Sequence, residues 1–356
     1  MDMIADRNIL ITRTKSSRLK NLNMENIPFG KYFTDHMLEA DFENGEWVNV
    51  EIKPYQPLLL SPSLSAIHYG QSIFEGIKAY KNAEGEINIF RPEDNMDRFN
   101  NSARRLCMPE VPYSIFIEGM KQLIKLDQDW ISEKEGHSLY IRPFMFSAEE
   151  FIGVTPGGKF KFMIILSPAG AYYNAPVKIY VEEKYTRAAE GGVGFVKAAG
   201  NYALSMLPTR LAQQKGFDQV LWTDAMEHKY AQEIGTMNVF FVNNGKIITP
   251  GLESGTILAG ITRDSAIKVL RDLGYEVEER EISIDELVEA YKKGEFTEAF
   301  GTGTAATISE IALMSYRGLD MKLKTGDGTI AVKMKKQLDD IRYGRVEDSY
   351  NWLESC

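Results

Sequence analysis

Cysteine and histidine are scarce in this chain. Only Cys107 and Cys356 occur in 356 residues, which allows neither a disulfide framework nor a thiolate metal site and suits a reducing compartment. The four histidines, His36, His68, His137 and His228, are scattered and form no HExxH or similar zinc pattern, so no metal site is expected. Long apolar runs are missing too. The opening MDMIADRNILITRTKSSRLK has acidic residues and a strand-like NILIT but no long apolar core, unlike a secretory signal or membrane anchor, so a cytoplasmic protein with no membrane partner is expected, with an organellar presequence as the alternative its five Lys and Arg residues leave open. Positive charge is in deficit, 41 Lys and Arg against 50 Asp and Glu, for a net charge of −9. Affinity for nucleic acid or anionic lipid depends on clustered cations, so the expected partners are small molecules. Internal repeats, low-complexity blocks and heptad runs are absent as well, which excludes solenoids and filaments.

What the chain does have is enough apolar material, 44% of residues, to build the cores of the roughly two domains its length suggests. In the first half the strand-like runs EINIF (86–90), SLYIRPFMF (138–146) and KFMIILS (161–167) alternate with the helical patterns DNMDRFNNSARRL (94–106) and SIFIEGMKQLIKL (114–126). The stretch PAGAYYNAP then brackets a tyrosine pair with prolines and small residues, which reads as a linker. The expected organisation is a first domain over 1–170, a linker over 171–176 and a second domain over 177–356. The second half continues with QVLWTD (219–224) and with MNVFFVNNGKIITP (237–250), where Asn-Asn-Gly between alternating apolar runs signals a hairpin. TRDSAIKVLRDLG (262–274) predicts a helix, with Thr262 as N-cap and Gly274 just beyond the C-terminus. The tail after Ile341 reads only as an amphipathic end.

Chemistry is suggested first by GGVGFVKAAGNY (191–202), which sets Lys197 among Gly191, Gly192, Gly194, Ala198, Ala199 and Gly200 with Val193, Phe195 and Val196 as apolar walls. Most lysines are solvated surface charges. One desolvated by such neighbours would favour the neutral amine that attacks a carbonyl carbon. A pyridoxal phosphate enzyme further requires a carboxylate at the pyridinium nitrogen and an anion cup. Glu233, ahead of an apolar strand and two residues before Gly235, suits the first, although an ordinary edge carboxylate would look the same. The helix start at Ile261 and Thr262, after the small residues of SGTILAGI, suits the second. FGTGTAA (300–306) is another phosphate cup and also satisfies the G-x-G-x-x-A dinucleotide pattern. No apolar strand ending in an acid follows it, and Asp320 lies in a polar stretch, so the dinucleotide reading is weak.

Taken in order, FGKYFTDHM (29–37), HYGQSIFEGIKAY (68–80), FRPEDNMDRFNNSARRLCMP (90–109), KAAGNYALS (197–205), QEIGTMNVFFV (232–242), ILAGITRDS (257–265) and FGTGTAA resemble the branched-chain amino acid aminotransferases over nearly the whole chain. The resemblance implies an α+β chain of fold type IV, with a smaller α/β domain, a larger sheet-rich domain that binds pyridoxal 5'-phosphate, and a homodimer as the unit. It implies that Lys197 forms the Schiff base with the cofactor and then moves the proton between substrate Cα and cofactor. Glu233 would partner the pyridinium nitrogen and Tyr202 the phenolic oxygen. Arg98, Ile261, Thr262 and Thr304 would hold the phosphate, and Thr236, Leu258 and Gly260 would complete the cofactor site.

For the substrate the resemblance implies an aromatic box of Phe29, Tyr69, Phe74, Tyr140 and Tyr172, with Arg142 orienting Tyr69, and an amide turn at Ala305 and Ala306 for the α-carboxylate. The loop around Gly153 and Val154 would reach the neighbouring subunit's site. Such a box separates leucine, isoleucine and valine poorly, since one methylene is worth only about 1–3 kcal/mol. The implied reaction is transamination of these amino acids with 2-oxoglutarate, giving 2-oxo acids and glutamate. Some animal relatives carry Cys-x-x-Cys after the Gly-Thr turn. Here Ala306 and Ser309 stand in its place, which rules out thiol switching there. Within the same fold, a D-amino acid aminotransferase or aminodeoxychorismate lyase is the alternative, and a colourless, cofactor-free binding module is the alternative from another class.

Overall fold

The computed structural model describes residues 9–24, 27–170 and 175–356. The chain forms two compact units, one of residues 1–170 with 348–356 and one of residues 171–347. The expected linker lies partly outside the described residues.

Alternating apolar runs build a nine-stranded sheet in the first unit, ordered Leu10–Ile11, Glu46–Pro54, His36–Glu43, Phe160–Ala169, Ser138–Ser147, Ile77–Lys81, Ile87–Phe90 and Leu353–Ser355, with Ser72–Phe74 also on Ser138–Ser147. All its pairings are antiparallel except that of Leu10–Ile11 with Glu46–Pro54. The helix Pro92–Arg105 starts with proline and two acids and ends with two arginines, which matches the helix dipole at both ends. Its Phe99 meets Phe116 and Phe162 at ring separations of 5.4 and 5.6 Å, all three fully buried, and this contact helps seat the helix on the sheet. The expected helix over 114–126 divides into a π-helical stretch, Ser114–Glu118, and an α-helix, Gly119–Leu126. Residues 348–356, assigned to the second domain on sequence grounds, here join the first unit. Leu353–Ser355 pairs with Ile87–Phe90, and Trp352, 5% exposed, packs its ring 5.6 Å from Phe90.

In the second unit six strands pair in a closed ring: Ala231–Ile234, Gln219–Thr223, Val177–Val181, Thr307–Tyr316, Phe296–Gly303 and Met237–Asn243, the last returning to Ala231–Ile234. Closure removes the open edges that such strands would otherwise expose. Strand alternation gives the ring two faces. One carries Ile234, Met237, Val239, Phe241 and Ala299 into a buried apolar cluster. The other carries Glu233, Asn238 and Thr302, which stand opposite one another across three adjacent strands. The helix Ile261–Asp272 packs on the strand Phe296–Gly303.

Two sequence expectations change here. The helix expected to start on Thr262 has Gly260 at its N-cap, with the Asp264 N–H bonded to the Gly260 carbonyl, and Thr262 lies buried in the first turn. The run GTGTAA joins two antiparallel strands, Phe296–Gly303 and Thr307–Tyr316, paired from Phe300↔Glu310 to Gly303↔Thr307. A dinucleotide loop must lead from a strand into a helix, so that reading is excluded.

Candidate active site

Lys197 follows a loop closed by Asn201, whose side-chain amide donates to the carbonyls of Val193 (2.8 Å) and Val196 (3.0 Å). These bonds turn the chain into the helix Ala199–Gln214, which begins directly after the lysine. Lys197 is half-buried, and its Nζ donates to the Tyr202 hydroxyl at 3.1 Å. Tyr202, Val196 and Asn201 line a cleft that Glu233, Asn238 and Leu258 also line.

Glu233 is only 4% exposed, so its charge needs local partners. Its Oε1 accepts the Leu258 N–H at 2.9 Å and the Asn238 Nδ2 at 3.2 Å, and its Oε2 lies 3.0 Å from the Arg187 Nε. The Asn238 contact follows from the hairpin, whose Gly235–Thr236 turn pairs Glu233 with Asn238 on one face. Asn238 Nδ2 also donates to the Leu258 carbonyl at 2.9 Å, and a Cβ on Gly260 would lie 2.0 Å from the Asn238 Oδ1. The Glu233 side of the cleft and the start of the helix Ile261–Asp272 are therefore in direct contact. Thr302, 1% exposed and next in the same row, has a buried hydroxyl with no hydrogen-bond partner among the described residues. The turn carrying Thr304, Ala305 and Ala306 follows it on the strand Phe296–Gly303.

A network of backbone bonds shapes the approach to the Glu233 strand. The Asp224 carboxylate accepts N–H groups from Met226 (3.2 Å), Glu227 (2.8 Å), Lys229 (2.7 Å) and Tyr230 (2.8 Å). Burial pushes its pKa up, but the four N–H donors outweigh burial and hold it below the ordinary carboxylate value.

The remaining expected residues lie in the first unit. The Phe29 and Tyr140 rings meet edge to face at 4.8 Å, and the Arg142 guanidinium lies 4.7 Å over Phe74 and 5.2 Å over Tyr140. Arg142 donates to the Tyr140 hydroxyl at 2.9 Å, where the sequence reading expected Tyr69. Residues two apart on a strand share a face, whereas Tyr69 ends the short helix Ser65–Tyr69 and is 43% exposed. Val154 is 91% exposed in its loop. Tyr172 lies outside the described residues.

Arg98 bonds Glu75 with both ends of its fork, Nε at 2.7 Å and Nη2 at 2.8 Å, and Glu75 is fully buried. Asp94, one turn earlier on the same helix, pairs with Arg91. Sequence reasoning assigned no role to Glu75, Arg187, Asn238 or Thr302. The two-residue turn at Gly235–Thr236 was a readable signal for Asn238. Arg187 and Glu75 had none.

The fold and this cleft define a class of transferase: the family model described as amino-transferase class IV matches residues 72–313. A probable branched-chain-amino-acid aminotransferase of Staphylococcus aureus (strain N315) is 51% identical over 336 residues, 93% of each chain. Branched-chain-amino-acid transaminase 1 of Bacillus subtilis (strain 168) is 46% identical over 352 residues, covering 97% of this chain and 99% of its own. Among solved structures, the branched-chain aminotransferase of Thermoproteus uzoniensis with norvaline aligns with a TM-score of 0.74 at 27% identity, covering 90% of this chain and 99% of that one. The T.th. branched-chain amino acid aminotransferase complexed with N-(5'-phosphopyridoxyl)-L-glutamate gives 0.72 at 28%, covering 88% and 97%. The chain belongs to the branched-chain-amino-acid aminotransferase family.

Proposed function

We propose that the protein transaminates L-leucine, L-isoleucine and L-valine with 2-oxoglutarate, using pyridoxal 5'-phosphate bound in the cleft of the second unit. The observation that carries this reading is one cleft lined both by Tyr202, whose hydroxyl accepts a bond from Lys197, and by a buried carboxylate, Glu233, held on both oxygens. When bound, the cofactor supplies a reactive aldehyde and an electron-accepting ring.

The protein's own groups divide the remaining work. Lys197 Nζ would hold the cofactor through its aldehyde carbon, the aldehyde oxygen leaving as water, and once displaced by the substrate amine it would move the proton at substrate Cα, which requires its neutral form. Tyr202 would steady that nitrogen and offer a hydroxyl to the cofactor's phenolic oxygen. Glu233 would accept the ring N–H. The phosphate is a dianion suited to the positive end of the helix Ile261–Asp272, the Thr262 hydroxyl and Thr304, and the resemblance adds Arg98, whose Nε and Nη2 already bond Glu75. Thr236, Leu258 and Gly260 wall the cofactor. Phe29, Tyr69, Phe74, Tyr140 and Tyr172 recognise an apolar side chain, Arg142 orients the Tyr140 hydroxyl to which it donates, and the amides of Ala305 and Ala306 recognise the α-carboxylate.

We also read the protein as a cytoplasmic homodimer, with Val154 serving the neighbouring subunit. In support, Leu204, Leu207 and Leu211, at 62, 53 and 37% exposure, share one face of the helix that follows Lys197. Among the described residues no helix is long and apolar enough to cross a membrane.

Borohydride treatment of the enzyme should fix the cofactor to the peptide bearing Lys197. Lys197→Ala should lower turnover of leucine with 2-oxoglutarate by about 10²–10⁴-fold or more, the scale of a lost acid–base group. Label on another peptide, or product only from D-alanine, sinks the reading.

A further inference from the structure

Arg187 stands where three parts of the cleft meet. Its Nε lies 3.0 Å from the Glu233 Oε2, with the two side chains 8% and 5% exposed. The Nε–H does not aim along that line, so the attraction is chiefly ionic. Its Nη2 donates to the Thr256 carbonyl, in the segment that leads into the helix Ile261–Asp272. The Lys197 loop presses on the same carbonyl: a Cβ on Gly194 would lie 2.4 Å from the Thr256 oxygen and 2.5 Å from the Ala188 Cβ. One guanidinium thus links the acid, the lysine loop and the approach to the phosphate end.

We propose that Arg187 is a positioning residue that holds Glu233 ionised and aimed, and so keeps the proton on the cofactor's ring nitrogen. The inference rests on the reading of Glu233 as the ring's partner.

The ring nitrogen and Glu233 share one proton. A guanidinium stays charged at any pH a protein survives, so the carboxylate beside it has a low affinity for that proton. The other oxygen is occupied by two neutral donors, the Leu258 N–H and the Asn238 amide, which orient the carboxylate but bring no charge. Without the cation, a carboxylate this buried is better satisfied by protonation. The proton would then pass from the ring nitrogen to a Glu233 oxygen, leaving both neutral and the ring a poorer electron acceptor.

The test is nitrogen-15 NMR of the holoenzyme carrying ring-labelled pyridoxal 5'-phosphate, with the cofactor dissociation constant measured alongside. Arg187→Gln keeps donors but removes the charge. Its ring nitrogen should move to the unprotonated range and its cofactor affinity should fall about 10- to 100-fold, as for loss of the charges that strengthen a hydrogen bond. Arg187→Lys, which restores the charge, should keep the ring protonated while binding the cofactor less tightly. Glu233→Gln should be unprotonated and show no further change when combined with Arg187→Gln. A ring still protonated in Arg187→Gln but not in Glu233→Gln overturns the role of Arg187 and leaves that of Glu233 standing. A ring still protonated in Glu233→Gln overturns the reading of Glu233 itself. Should Arg187→Gln not fold, Arg187→Lys decides, because an unprotonated ring there overturns the proposal.

Discussion

Glu233 draws its partners from positions 187, 238 and 258, far apart in sequence, so its orientation depends on how tightly those segments touch. The narrowest contact is Gly260 against Asn238, where a Cβ would lie 2.0 Å from Oδ1 and 3.2 Å from the Arg263 Cβ. Asn238 is buried and committed to both Glu233 and the Leu258 carbonyl, so it cannot yield without breaking those bonds. Gly260→Ala should therefore cost about 1–3 kcal/mol, the usual range for overpacking. Urea denaturation should show a lower midpoint, and an unchanged midpoint would mean that the contact relaxes freely. The types of residue at this scale were legible: a lysine among small neighbours and an acid before an apolar strand. The counter-ion was not, because an arginine ten residues before the lysine carries no periodicity or motif that directs it to position 233.

At the scale of elements, local chemistry was most legible where the backbone makes special demands. Asn244 and Gly245, at φ 50° and 77°, form the turn expected from Asn-Asn-Gly, and Gly274, at φ 83°, follows its helix as expected. Asn44-Gly45, at φ 54° and 85°, is an equally clear signal and joins His36–Glu43 to Glu46–Pro54. The loop between Gln219–Thr223 and Ala231–Ile234 has no such turn and depends on Asp224. Because the folded pKa of Asp224 is depressed, its charge stabilises the protein above the ordinary value of 3.8, and that contribution fades as pH falls through the lower folded value. Asp224→Asn should therefore lower the melting temperature at pH 7, and the gap to the parent should close progressively below about pH 4. A gap independent of pH would remove the charge from the explanation.

At the scale of the molecule, the question is what covers the apolar face left on the helix Ala199–Gln214. If a second copy covers it, sedimentation should give twice the chain mass, and Leu207→Glu should shift the population to monomer at micromolar concentration. A monomeric parent would end the dimer reading. Composition, those strands and helices with a clear local period, and the lysine, acid and helix start proposed for the cofactor site could be picked out in the sequence, because each rests on side-chain type or on patterns within a few residues. Tertiary structure alone decided that Leu353–Ser355 pairs with Ile87–Phe90, that six strands close into a ring, and that Arg187 meets Glu233. Each of these joins residues distant along the chain, and such contacts are set by which surfaces can be buried together, a property no short stretch of sequence records.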